Sequence, residues 1–180
     1  MNEMDQIRAL IARLARLDAA DGWTGDLNPA QRNALDYLSR ANNLSRAPSH
    51  VAGYLGSTRG TASQTLKALL RKGYVTEERS DSDRRSIRYD LSEAGQAALL
   101  EQSRLLGALG EIPQDELAEL HDVLARVLEA AARRNGFQPF GICRTCRHFD
   151  ARGSGGYCKL LSILLAPPEI EKICHEHASA

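Results

Sequence analysis

Three of the four cysteines, Cys143, Cys146 and Cys158, crowd into one short stretch, and Cys174 follows near the end of the chain. No cysteine precedes residue 143. The pattern is Cys-x2-Cys-x11-Cys-x15-Cys. An x2 spacing lets one turn offer two thiolates to one centre, while the other two sulfurs must arrive from separate segments. Four thiolates suit either Zn2+ or an iron–sulfur cluster. Zinc is the commoner occupant of such a set. Zinc ribbons, however, use two Cys-x2-Cys knuckles and this chain has one, which keeps the cluster open beside zinc. A metal-free redox pair at Cys143/Cys146 is the third reading, but no thioredoxin-like strand–helix pattern surrounds it. His148, His175 and His177 lie beside the cysteines and could replace a ligand or hydrogen-bond a sulfur.

Residues 137–180 are too few to build a core of their own. They do carry apolar side chains, among them Phe140, Ile142, Phe149, Leu165 and Ile173. A metal cross-link would let that set fold. "ARGSGG" reads as a loop between the second and third ligands, and "APPE" as the start of a final helix carrying Cys174. The expected organisation is therefore a first domain over 1–136 and a four-cysteine metal-binding tail over 137–180.

The 180-residue chain is 43% hydrophobic and 26% charged, as globular proteins are. No apolar run is long enough to span a membrane. The N-terminal "MNEMDQIRALIARLARLDAAD" is amphipathic and acidic, unlike a secretory signal. A cytoplasmic location is expected, and reduced, clustered cysteines fit it. The net charge is zero, but unevenly distributed. Residues 57–92 hold eight Lys/Arg against five Asp/Glu, and residues 93–133 hold eight acids against three arginines. The first stretch is built to meet anions.

The elements that carry these charges are mostly helices. Ile7, Leu10, Ile11, Leu14 and Leu17 recur at helical spacing. Asn28 and Pro29 signal the start of a second helix through Arg40. "SHVAGYL" reads as a third, and "TASQTLKALLRK" as a fourth, capped by Ser57 or Thr58 and stopped by Gly73. "YVTEER" and "SIRYDLS" alternate around the charged turn "SDSDRR", predicting a hairpin. Two further helices follow, "EAGQAALLEQSRLLGAL" and "QDELAELHDVLARVLEAAARR", ended by Asn135-Gly136. Trp23 is expected to pack the first linker against the core. His50 and His121 read as ordinary surface or interface residues on helices.

Two helices joined by a Gly-containing turn and followed by a hairpin make a winged helix-turn-helix. Its fourth helix would enter the major groove N-terminus first. Thr58, Arg59, Thr61, Ser63, Gln64 and Lys67 are types that hydrogen-bond base edges or phosphates. Arg84 and Arg85 at the hairpin tip could reach a minor groove or the backbone. The same charges would also suit a solvated helix and turn.

"DRRSIRYDLSEAG" resembles the wing of the MarR family of transcriptional regulators, with Asp83, Arg85, Leu91 and Gly95 at matching positions and Ser92 in place of the usual Thr. "LNPAQRNALDYL" and "ASQTLKALLRKGYVTEERSDSDRR" resemble the family's helix entry and recognition helix, so the likeness spans roughly residues 5–134. The resemblance implies a homodimer on double-stranded DNA, at a pseudo-palindromic operator, and by family tendency a repressor. It also implies that Asp83 orients Arg85. The fold expected is mainly α with a small β wing (α+β): a winged helix-turn-helix, flanking dimerisation helices and a metal-stapled extension. Leu117, Leu120, Val123, Leu124, Val127 and Leu128 form an apolar face that fits the dimer, though it could also fold back on its own domain.

An enzyme is not expected. The chain has no phosphate-binding Gly-rich motif, no His-Glu-x-x-His and no nucleophile elbow, and four cysteines would leave a zinc ion no open position. The function expected is a DNA-binding regulator responsive to metal or redox state. Because the tail follows the last helix directly, the expected route is a change in the spacing of the two recognition helices. The alternative is a regulator whose metal is a structural staple and whose effector is a small molecule in a pocket.

Overall fold

The computed structural model describes residues 2–23, 25–79, 87–100 and 103–179. Helix α1 (Glu3–Asp21) starts where the Asn2 side chain accepts from the Asp5 N–H, and none of its residues is buried. Helix α2 (Pro29–Arg40) opens on a reciprocal capping box: Asn28 accepts from the Gln31 N–H at 2.9 Å, and Gln31 accepts from the Asn28 N–H at 3.3 Å. Ala34, Leu35, Tyr37 and Leu38 of α2 are buried. The short α3 (Pro48–Tyr54) buries Val51 and Ala52, and α4 (Arg59–Arg71) buries Ala62, Leu66 and Leu69. One core joins these side chains to Leu27, Val75 and Tyr89. Burying each leucine contributes about 1.5–3 kcal/mol.

Gly73, at φ +78°, turns the chain out of α4 into β1 (Val75–Arg79). Strand β2 (Ile87–Leu91) pairs antiparallel with it, Val75 opposite Leu91 and Arg79 opposite Ile87. This is the expected wing. Ser92 then caps α5 (Glu93–Ala98), accepting from the Gly95 N–H at 3.1 Å and donating to the Gly73 carbonyl at 2.6 Å. A Cβ at Gly95 would lie 2.1 Å from the Tyr74 carbonyl oxygen, so the close approach of α5 to the strand requires glycine there.

The long helix expected over 93–109 is two helices. Helix α5 stops at Ala98, and α6 (Arg104–Leu109) begins at a new cap, where Ser103 Oγ accepts from the Leu105 N–H at 3.1 Å. The Arg32 guanidinium donates to the Ala98 carbonyl at 3.0 Å. It satisfies from outside a carbonyl that a continuing helix would satisfy from within. Leu99, packed against the core, turns inward at the same point. Helix α7 (Gln114–Asn135) follows and ends on Gly136 at φ +66°.

The tail is mostly β. Strand β3 (Gly141–Ile142) leads into a 3-10 turn over Cys143–Thr145. Strands β4 (Phe149–Arg152), β5 (Gly155–Cys158) and β6 (Ile163–Leu165) make an antiparallel sheet in that order. After α8 (Pro167–Ile170), strand β7 (Ile173–Cys174) pairs back on β3. Cys174 is therefore on a strand, not on the expected final helix. Helix α8 has only four residues, and the Ile173 side chain is drawn into the winged-helix core while its backbone pairs with both Ile142 and Ala41.

The linker residue Trp23 does not pack on the core as expected; it is 72% exposed. Among the described residues no helix is long and apolar enough to cross a membrane.

Candidate nucleic-acid interface and cysteine centre

The turn between α3 and α4 is closed by the Ser57 N–H donating to the Ala52 carbonyl at 2.9 Å, with Gly56 at φ +60°. Thr58 caps α4, its Oγ1 accepting from the Thr61 N–H at 3.1 Å and lying 2.8 Å from the Thr61 hydroxyl. Both hydroxyls thus hold the start of the helix. Arg59, Gln64 and Lys67 are exposed and Ser63 half-buried, while Ala62, Leu66 and Leu69 face the core. All six expected α4 residues are brought onto or beside one exposed, polar side of the helix. Asp83, Arg84 and Arg85 lie outside the described residues. The strands leading to them are braced by Arg88–Glu78 at 3.3 Å and by the Tyr89 hydroxyl donating to Glu77 at 2.7 Å. That hydroxyl, followed by Arg79, holds the Glu77 carboxyl below the usual carboxylate range.

All four cysteines are free thiols. Cys143, Cys158 and Cys174 are buried and share a small cluster with Leu165, Phe149, Ile163 and Ile170; Cys146 is half-buried. Cys143 and Cys174 lie together in this cluster. The neighbouring Cys143 lowers the Cys174 thiol, against the effect of burial, and the Glu176 backbone, Asn42 and Ser45 lower it further. Cys174 in turn raises Cys143, and burial and the three other sulfurs raise it more. Around Cys146, the Ala178 N–H donates to Sγ at 3.4 Å. No group of three or more His, Cys, Asp or Glu side chains among the described residues is spaced to hold an ion.

The donor chemistry nevertheless fits a thiolate centre. Asn42 is 1% exposed, and among the described residues its Nδ2 is a buried donor without a hydrogen-bond acceptor in good geometry. Its side chain lies close enough to Cys174 to favour the thiolate there. A buried N–H is costly to leave unmatched, and a thiolate sulfur is the acceptor at hand.

The winged helix supplies much of this surround. Ser45 Oγ accepts from the His175 N–H at 2.9 Å and donates to Asn42 Oδ1 at 2.6 Å. The Asn42 N–H donates to the Ile173 carbonyl at 2.9 Å, and the Asn43 N–H donates to Glu169 at 2.7 Å. Phe140 sets its edge against Tyr54 and Tyr37, with centroids at 5.3 and 6.1 Å. His50 is no ordinary surface residue: its ring stacks on His175 with centroids 3.5 Å apart. His121 is exposed, as expected. His177 Nε2 lies 3.0 Å from the Thr145 hydroxyl, so it props the knuckle turn from behind.

Burial, then the neighbouring His175, pushes His50 from 6.5 down to about 4. Between those values the unfolded chain binds a proton here that the folded chain refuses. Stability from this position is complete above about pH 6.5 and falls as pH drops towards 4. Denaturant midpoints at pH 7 and pH 5 should therefore differ, and His50→Phe should reduce the difference.

No periodicity or motif marks Asn42, Ser45 or Phe140. They act through contacts more than eighty residues away in sequence, which one chain read by itself does not reveal.

Residues 25–86 match the model of the MarR family. No curated protein matches the chain. Among solved structures it is similar to a MarR transcriptional regulator from Methanosarcina mazei Go1, with a TM-score of 0.58 and 20% identity over 72% of this chain and 98% of that one. It is similar to the S. aureus MepR–DNA complex (TM-score 0.56, 16% identity, 72% of this chain and 98% of that one). It is also similar to Streptococcus pneumoniae FabT in complex with DNA (TM-score 0.55, 19% identity, 73% and 99%). From the capped α4, the wing strands and these likenesses together, the chain carries the winged-helix fold of the MarR-type transcriptional regulators.

Proposed function

We propose that the chain is a sequence-specific, homodimeric DNA-binding transcriptional regulator, and that Cys143, Cys146, Cys158 and Cys174 bind Zn2+ or an iron–sulfur cluster. The observation that carries the DNA reading is the exposed polar side of α4, with Arg59, Gln64 and Lys67, presented by a fold that MepR and FabT use on DNA. Arg84 and Arg85 of the wing complete the contact set, with Asp83 orienting Arg85. The regulator is a repressor by its family resemblance. Arg85→Ala is expected to weaken binding by about 1–3 kcal/mol if the side chain makes a good groove contact. Titration of wild type and variant on one DNA fragment at fixed salt measures this, and equal affinities would remove Arg85 from the interface. Affinity should also fall steeply as salt rises, because phosphate contacts release counterions.

Zinc, if held by the four thiolates, would cross-link the tail, and a cluster would add redox sensitivity. Support for the centre comes from the buried sulfurs, the Ala178 N–H on Cys146 and the unmatched Asn42 donor. A second reading rests on a cleft of about 370 Å³ bordered by Asp18, Arg32, Asp36, Arg40 and Leu106. It would take a small-molecule effector and leave the metal as a staple. Metal removal that leaves DNA affinity unchanged would favour it.

A further inference from the structure

The turn at residues 41–47 lies between the tail and the winged helix and bonds to both. On one side it meets the tail: Ala41 bridges to Ile173, Asn42 and Ser45 approach the Cys174 sulfur, Ser45 receives the His175 N–H, and Asn43 donates to Glu169. On the other side it holds the reading head. The Tyr37 hydroxyl of α2 donates to the Ser45 carbonyl at 2.6 Å, and the Tyr89 N–H of β2 donates to the Arg46 carbonyl at 3.1 Å. The Arg46 guanidinium donates to the Ala41 carbonyl at 3.0 and 3.1 Å and pairs with Asp90 of β2. The turn then enters α3, whose Val51 and Ala52 share a core with Ala62 and Leu66 of α4.

We infer that the cysteine centre is completed by the winged helix and controls it through this turn: a metal-bound Cys174 locks residues 41–47, and with them the start of α3 and the wing strand. This deepens the proposed regulation and rests on the metal reading. The direction of control differs from the route expected through α7. No displacement between the two protomers is needed, because each cysteine centre acts on its own recognition helix and wing.

Residues 137–180 are too few for an independent core, so removal of the metal releases β7. The Asn42 and Asn43 N–H groups then lose their carbonyl and carboxylate acceptors, Ser45 loses His175, and the ring of His50 loses its stack. Ile173 leaves the core beside Ala41. A turn that was over-determined becomes one that opens locally, and two states with different contacts are what an effector needs to shift an equilibrium.

Amide hydrogen exchange on the full chain tests this, comparing metal-loaded protein with protein stripped by a chelator under reducing, anaerobic conditions. Elemental analysis of the loaded sample comes first. Exchange at residues 41–52 is expected to rise about tenfold on stripping, while the middle of α2 stays protected. A rise confined to 141–179 would overturn the coupling and leave the metal site intact. A chain that binds neither zinc nor iron would overturn the site, and the coupling with it. Ser45→Ala, which keeps all four cysteines, should in its metal-loaded form cut the difference at residues 47–52 to less than about twofold. An undiminished difference in that variant would remove Ser45 from the link.

Discussion

Cys158→Ser is expected to release the metal and disorder the chain from about residue 140 onward. The expected loss is total rather than partial. Structural zinc contributes about 10–16 kcal/mol to the folding of small metal domains at neutral pH, whereas a segment of this length has little apolar burial to offset its ordering entropy. Cys158 is the informative ligand to remove, because it packs with Cys143, Cys174 and Leu165 inside the tail cluster and is not part of the winged-helix core. The core of α2, α3 and α4, built on Leu35, Tyr37, Leu38, Leu66 and Leu69, should survive, with a lowered melting temperature from the departure of Ile173. Metal content, circular dichroism and DNA affinity on the same variant measure the three consequences. Full metal occupancy would disprove the four-cysteine site, and lost metal with unchanged affinity would reduce it to a staple.

Leu124→Glu is expected to split the homodimer or unfold it. In one chain Leu120, Val123, Leu124, Val127 and Leu128 of α7 are 41–64% exposed, and Ile7, Leu10, Ile11, Leu14 and Leu17 of α1 are 42–61% exposed. Contiguous apolar faces of this kind on two long helices mark an association surface. Two-fold symmetry repeats any change, so one substitution brings two carboxylates into the same apolar seam, each costing several kcal/mol if left unpaired. Sedimentation of the wild type should give about twice the 19.7 kDa chain mass, and the variant half of that or aggregated material. A well-folded wild-type monomer that binds a full palindromic site tightly would contradict the dimer.

What could be read without coordinates was whatever rests on local rules. Asn28 and Pro29, Thr58, Gly73 and Gly136 punctuate helices through contacts a few residues away, and each does so where expected. The wing followed from alternation, and the polar side of α4 from helical spacing. The errors arose where a distant partner decides. Arg32 reaches across to cap Ala98 and ends α5 early. Ile173 is taken up by the core of another segment, which makes a strand of the residues around Cys174. The Asn42–Ser45 surround of that cysteine is set by tertiary pairing alone. Trp23, expected to pack the first linker against the core, is 72% exposed instead.

The most direct test of the central claim is selection of DNA from a random duplex library by the purified full chain. A two-fold related sequence should be enriched, with half-sites centred about 10 base pairs or a multiple apart. Arg59→Ala and Arg85→Ala should weaken binding to the selected duplex. Recovery of no common sequence, or binding that is indifferent to both substitutions, would contradict a DNA-binding regulator that reads with α4 and the wing.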